Sequence, residues 1–307
     1  MESLLVSVVI PNYNHAQFLD ERIQSVLNQT YQNFEVIILD DKSTDNSVEV
    51  VNQYKDNPHI AQIIVNEENS GSPFKQWNKG FELAKGELIW IAESDDACSP
   101  FLLERLVPLH LKSNAVFSFC RSQHMDESGR LYRTWHNEVG TSFCMSGNEF
   151  IEKYLGKYNL VTNASSVIFN KKDAYEIDLQ YVNYKGAGDW LFWIELAQLG
   201  NVAFCDEALN YFREHRENTT RKCFENGQDY YEGKRIYDYL VRNKLISMRT
   251  ATFNKKEHLN HILYRTFENE QIRQGLLKSW NYNIKCRIIY FISRCLCKIE
   301  RSLWKFL

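Results

Sequence analysis

Glu87-Leu88-Ile89-Trp90-Ile91-Ala92-Glu93-Ser94-Asp95-Asp96 joins an apolar run of strand length to three carboxylates within four residues. A short continuous apolar run bounded by polar residues reads as a strand covered on both faces. Like charges placed so close repel, and a divalent cation is the usual reason to assemble them. The tetrapeptide by itself also admits a plainer reading, a solvated acidic loop ahead of a helix.

The same unit recurs on the N-terminal side of this stretch. Val6-Ser7-Val8-Val9-Ile10 is a β-branched strand expected to stop at Pro11-Asn12-Tyr13-Asn14-His15, after which Leu19, Ile23, Val26 and Leu27 recur at helical spacing. Glu35 to Leu39 is a second buried strand running into Asp40-Asp41-Lys42-Ser43-Thr44-Asp45, a loop whose acids could equally cap the next helix, Asn46 to Tyr54. A strand over Ala61–Val65 leads through Asn69-Ser70-Gly71 to a helix around Phe74–Ala84. Past the acidic cluster, Ser99 reads as an N-cap and Pro100 as a first-turn proline for a helix over Phe101–Leu111.

Four strand-to-helix units in succession predict an α/β fold with a mostly parallel sheet flanked by helices, because parallel strands need crossover connections. Ligands of such sheets sit at the carboxyl ends of the strands, where three of these loops are acidic or amide-rich. Beyond Ala115–Phe119 the pattern is less regular, with strands expected near Ser165–Phe169 and Val202–Phe204 and helices near Glu149–Leu155 and Trp190–Leu199. From about residue 222 helical patterning dominates. The chain thus divides into residues 1–112, which carry the strand-to-helix units, residues 113–221, a less regular half, and residues 222–307, a helical extension.

Across 307 residues the net charge is −3, so nothing global argues for a nucleic-acid partner, and 44% hydrophobic residues allow a sizeable core. The charge is uneven: residues 279–307 carry six Lys/Arg against Glu300 alone, a net +5, leaving −8 for the rest. Helical spacing sets Ile284, Ile288, Ile292, Cys295, Ile299, Leu303 and Phe306 on one stripe, with Arg287, Arg294, Lys298, Arg301 and Lys305 on its flank. Such a helix suits peripheral contact with an anionic membrane, and Trp280, Tyr290 and Trp304 favour that over packing back on the body. Eight cysteines without a Cys-x-x-Cys pair, no signal-peptide pattern and no apolar run of about 18 residues point to a cytoplasmic chain, at most on the inner face of the membrane. The Asn-x-Ser/Thr triplets at Asn163 and Asn218 then have no modifying machinery to meet.

Gly188-Asp189-Trp190-Leu191-Phe192-Trp193 opens an apolar helix on a lone carboxylate. A carboxylate in an apolar surround could act as a base, and Trp190 and Trp193 could raise its pKa; an N-cap is the other role open to Asp189. Aromatic residues near Trp135 and Tyr184 could offer a flat face to a ring.

Val6 to Asn14, Leu39 to Asp45 and Lys85 to Asp96, in that order and at those separations, resemble family 2 glycosyltransferases of the GT-A fold, strongly over residues 4–112 and more weakly over 113–220. The resemblance implies a nucleotide-diphospho-sugar donor, a saccharide or lipid-linked acceptor, and Mn²⁺ or Mg²⁺ as cofactor. It implies that residues 1–112 are the nucleotide-sugar-binding half and 113–221 the acceptor-binding half, that Pro11, Tyr13 and Asp41 line the base pocket, Tyr13 packing on a uracil-like ring and Asp41 accepting from its imide N–H, and that Asn14 and Asp40 also bind the nucleotide-sugar. Glu93-Ser94-Asp95-Asp96 stands at the family's DxD-type motif, with Glu93 where many members have Asp, and with Asp95 and Asp96 placed for ribose and metal. Asp189 stands at the catalytic base, Gly188 replacing an acid common before it. Tyr211-Phe212-Arg213-Glu214-His215-Arg216 is similar to a segment closing over the diphosphate, which gives Arg213 and His215 phosphate or metal contacts, while Asn69 and Asn78 line the donor crevice. A sugar nucleotidyltransferase fits less well, since Asn12-Tyr13-Asn14-His15 is no Gly-rich basic phosphate loop; a catalytically silent nucleotide- or glycan-binding protein recruited to membranes is the rival from another class.

Overall fold

The computed structural model describes residues 4–134, 139–215 and 219–282. In chain order these form β1 (Val6–Asn12), α1 (Ala16–Leu27), β2 (Phe34–Asp40), α2 (Ser47–Asn52), β3 (Ile60–Val65), α3 (Pro73–Leu83) and β4 (Leu88–Ile91). Next come β5 (Ala97–Cys98), α4 (Leu102–Ser113), β6 (Ala115–Met125), β7 (Leu131–Thr134), β8 (Phe143–Ser146) and α5 (Gly147–Phe150), the last continued by a π-helical turn over Ile151–Leu155. The remainder comprises β9 (Val167–Asn170), α6 (Lys171–Ala174), α7 (Gly188–Ala197), β10 (Asn201–Arg213), α8 (Thr219–Glu225), α9 (Gln228–Arg242), α10 (Met248–Tyr264) and α11 (Glu270–Ser279).

One sheet runs in the order β3-β2-β1-β4-β9-β6-β10-β5, with β7 beside β6 and β8 beside β10. The four strands predicted from the N-terminal units are parallel to one another, and β6 is parallel to β10, but β9 enters antiparallel between β4 and β6. The α/β class holds; the sheet is mixed, parallel where it meets the predicted loops. Because β9 joins β4 to β6, the two halves read from the sequence share this sheet.

Alternation along β1 sorts its side chains onto two layers. Val8 and Ile10 pack with Leu19, Ile23 and Val26 of α1 and Leu102 and Leu106 of α4, while Val9 packs with Phe74, Trp77 and Phe81 of α3 and Phe192 and Trp193 of α7. β1 does not stop at Pro11 as expected but pairs with β2 through Asn12↔Asp40. On its other edge the ladder to β4 ends at Val9↔Ile91, since Pro11 has no N–H to continue it. The chain crosses over from β1 to β2 and β3 on one side and later to β4 on the other, so the carboxyl ends of β1 and β4 flank the switch point where such sheets place their ligand crevice.

Tyr230, Leu259, Ile262, Phe267, Leu276 and Trp280 form a separate small core among α9, α10 and α11. Trp280, expected at a membrane surface, is buried there and stacks on His258 at 4.5 Å between ring centroids. Asn218, Trp135 and the tail from residue 283, with its basic stripe, lie outside the described residues. Among the described residues no helix is long and apolar enough to cross a membrane.

Candidate active site

The loops after β1 and β2 are knitted together by Asp40 and Asn14. Asp40 is fully buried, its Oδ2 accepting from Asn12 Nδ2 at 2.7 Å and Ser43 Oγ at 2.6 Å, and its Oδ1 from the Ser43 N–H at 2.8 Å. With its oxygens so engaged, Asp40 shapes the pocket without lining it, unlike the role the resemblance implied. Asn14 takes φ 58°, a left-handed conformation Asn tolerates, and accepts the Thr44 N–H at 2.7 Å. Between these ties Tyr13 projects with 47% of its surface exposed, above the buried Pro11.

Asp41 is also buried. Its Oδ1 accepts from Asn66 Nδ2, the Ser70 N–H and Gln76 Nε2 at 2.7, 2.9 and 2.8 Å, whereas Oδ2 accepts only from Ser70 Oγ at 2.8 Å and keeps capacity for another donor. Asn69 braces the same turn, its Nδ2 donating to the Asp41 carbonyl at 2.8 Å. Asn78 on α3 accepts the Tyr181 hydroxyl, which ties α3 to the segment before α7.

At the end of β4 the three acids have separate fates. Glu93 accepts from Trp77 Nε1 at 3.0 Å; burial, with Asp95 and Asp96 adding to it, pushes its pKa up to about 8. Asp96 is buried, its Oδ2 accepting from Asn163 Nδ2 at 2.8 Å and Ser165 Oγ at 2.6 Å and its Oδ1 from the Arg213 N–H at 3.0 Å. The buried Arg22 guanidinium stands 3.6 Å from Asp96 and donates to the Glu93 carbonyl at 2.8 Å, supplying the positive charge these carboxylates need. Asp96, expected at a metal, therefore faces the protein.

Asp95 faces the crevice and meets two imidazoles. His215 Nε2 lies 2.9 Å from Asp95 Oδ2, and one ligand atom from each of His15, Asp95 and His215 falls within 4.8 Å of the others. Burial acts to raise the Asp95 pKa, but the His215 hydrogen bond and the nearby imidazoles hold it below the ordinary range. His15 is held lower than usual by burial, opposed in part by Asp95, so it is neutral at neutral pH, as a metal ligand must be. Its Nδ1 lies 2.8 Å from Ser94 Oγ, which fixes the ring. One carboxylate and two imidazoles make a donor set that could hold a divalent cation. His15 escaped the sequence reading because nothing in a His that follows Tyr13-Asn14 says that the chain from β10 will return beside it.

Arg213 does not reach into the crevice. It is buried, with Nε donating to the Asp95 carbonyl at 2.8 Å, NH1 to the Asp126 carbonyl at 3.1 Å, NH2 paired with Glu21, and its guanidinium 4.8 Å from the Phe18 ring centroid. It holds Asp95 and His215 in place as a strut.

Asp189 stands in the first turn of α7. Its Oδ1 accepts the Trp190 N–H at 2.7 Å and its Oδ2 accepts from Asn159 Nδ2 at 3.0 Å. Burial pushes its pKa up to about 7, with the charges of Asp229 and Glu232 adding to the shift. Gly188 lets α7 approach α3: a Cβ there would stand 2.5 Å from the Phe74 ring, and Trp77, next on α3, holds Glu93. Trp190 and Trp193 are buried, as is Tyr184 under Arg235, so none of the three presents a face to a sugar.

The family model for glycosyl transferase family 2 matches residues 7–177. Glycosyltransferase GlyG of Streptococcus pneumoniae is 26% identical over 268 residues, covering 87% of this chain and 75% of GlyG. Residues 1–349 of S. aureus TarS, solved in complex with UDP-GlcNAc, superpose with TM-score 0.68 at 18% identity over 90% of this chain and 80% of that one. The mannosyltransferase PcManGT of Pyrobaculum calidifontis, solved with GDP-Man and Mn²⁺, gives TM-score 0.56 at 13% identity over 95% of this chain and 79% of its own. The chain therefore belongs to glycosyl transferase family 2 and is a glycosyltransferase of GT-A fold.

Proposed function

We propose that the chain transfers a sugar from a nucleotide diphosphate, of the UDP class, to a hydroxyl of a saccharide or lipid-linked acceptor by single displacement with inversion, in the synthesis of a cell-surface polysaccharide. The observation that carries this is the convergence of His15, Asp95 and His215 at the crevice where β1 and β4 end. The UDP-GlcNAc held by TarS supports the donor class.

In this reading Tyr13 packs on the base and Asp41 Oδ2 takes its imide N–H, between Pro11, Asn14 and Asn69. Glu93, held by Trp77 Nε1, stands beside the donor, and Asn78 lines the crevice through α3. His15, Asp95 and His215 would hold a divalent cation, which would supply positive charge against the diphosphate. Imidazole ligands suit a first-row transition ion better than Mg²⁺, which favours Mn²⁺ of the two candidates. The acceptor hydroxyl attacks the anomeric carbon from the side opposite the nucleotide while Asp189 takes its proton. The Asn159 hydrogen bond aims that carboxylate, and a pKa near neutrality matches it to the task. Residues 113–221 supply the acceptor side, and the basic tail over 279–307 brings the chain to an anionic membrane surface on the cytoplasmic side, which would suit a lipid-linked acceptor.

A donor screen tests this reading. UDP-, GDP- and dTDP-sugars are incubated with the purified chain and Mn²⁺, with and without chelator, and followed for nucleotide diphosphate release. Metal-dependent release from a UDP-sugar is the expected result; no release and no calorimetric binding with any donor contradicts the reading and returns weight to a silent binding protein.

A further inference from the structure

The loop that delivers Asp189 is held by a residue from the helical extension. Glu232, on the second turn of α9, is buried, and its carboxylate receives three consecutive backbone amides. The Lys185 N–H donates to Oε1 at 2.8 Å, and the Gly186 and Ala187 N–H groups donate to Oε2 at 2.9 and 2.8 Å. Gln228, one turn earlier, donates its Nε2 to Oε1 at 2.8 Å and fixes the side chain.

Successive amides pointing one way form a concavity that binds an anion, and here another part of the same chain fills it. Gly186 leaves room for the approach, since a Cβ there would stand 3.0 Å from Cys223 Sγ on α8. Asp189 follows two residues after the last of these amides. Trp190 is gripped in turn, its Nε1 donating to the Leu155 carbonyl at 2.9 Å and its ring lying parallel to His258 of α10 at 6.0 Å. The stretch matched by the family model ends at residue 177, so both Asp189 and this clamp lie beyond it.

We infer that Glu232 is a positioning residue for the transfer reaction, anchoring the backbone of residues 185–187 and so setting the direction in which Asp189 meets the acceptor hydroxyl. The inference rests on Asp189 as the base. A neutral amide cannot accept at both positions, so Glu232→Gln, similar in size and shape, frees at least one of the three N–H groups, and Glu232→Ala frees all three. Displacement of a reacting group by about 1 Å costs on the order of 10²-fold in rate.

The test compares wild type, Glu232→Gln, Glu232→Ala and Asp189→Asn in the full chain, by amide hydrogen exchange over residues 184–190 and by nucleotide diphosphate release from the wild-type donor with water as acceptor. Thermal melts confirm folding, and Glu232→Gln carries the test if Glu232→Ala does not fold. The expected result is faster exchange at residues 185–187 in Glu232→Gln, with kcat lowered on the order of 10²-fold and donor KM within about twofold of wild type. Unchanged exchange overturns the clamp. Faster exchange with unchanged kcat, while Asp189→Asn is inactive, overturns the positioning role alone. Turnover retained by Asp189→Asn overturns the base reading and the positioning role with it.

Discussion

A carboxylate can serve as a base only when ionised, and under the proposed role the pKa of Asp189, pushed up to about 7 mainly by burial, sets where that happens. Below that pH the carboxyl is protonated, so kcat/KM is expected to fall about tenfold per pH unit on the acid side and level off above neutrality, a limb read from a pH–rate profile. At the metal, His15→Ala and His215→Ala are each expected to raise the Mn²⁺ concentration for half-maximal turnover by at least about tenfold, since loss of even an outer-shell partner costs that much. An unchanged Mn²⁺ midpoint in both variants would remove the histidines from the site. Residue types announced these roles unevenly. Asp95 and Asp189 stand out in the sequence because each sits beside a strand or helix end, whereas Asp40, Asp96 and Arg213 read as ligands and prove to be bound internally. Nothing in an isolated Asp tells whether a buried Asn or Ser from 70 residues away will take its oxygens.

Loops at strand ends depend on the packing beneath them. α3 bears Trp77, which holds Glu93, and it lies so close on β1 that a Cβ at Gly80 would come within 2.4 Å of Val9 Cγ1. Gly80→Ala is therefore expected to cost about 1–3 kcal/mol through overpacking, measured by urea unfolding, against the gain Ala brings to an ordinary helix position. No loss of stability would mean that α3 is not seated as described. The N-terminal elements were legible because their periods are clean, β-branched strands alternating with amphipathic helices between polar turns. β10 was legible only in part: Val202–Phe204 is its apolar core, but the strand continues to Arg213 past two register shifts, through the charged pair Asp206 and Glu207, which carries no strand signal. β5, β7 and β8 are short edge pieces whose pairing, not their composition, makes them strands.

Over the whole molecule the sequence marked a nucleotide-binding half, a second half and a helical segment, but it did not show how they are joined. Long-range contacts decide that: β9 stitches the halves into one sheet, and Glu232 ties the helical segment to the loop before α7. Neither contact has a local signature, because each pairs an ordinary residue or strand with backbone distant in the chain. In the proposed mechanism one carboxylate removes the proton while the donor contacts lie on other elements, so chemistry and donor binding should separate in a single variant. Asp189→Asn, assayed for turnover and by calorimetry with the donor, is the measurement that tests this most directly. The account expects turnover to fall about 10²–10⁴-fold with donor affinity unchanged; wild-type turnover in this variant would contradict it.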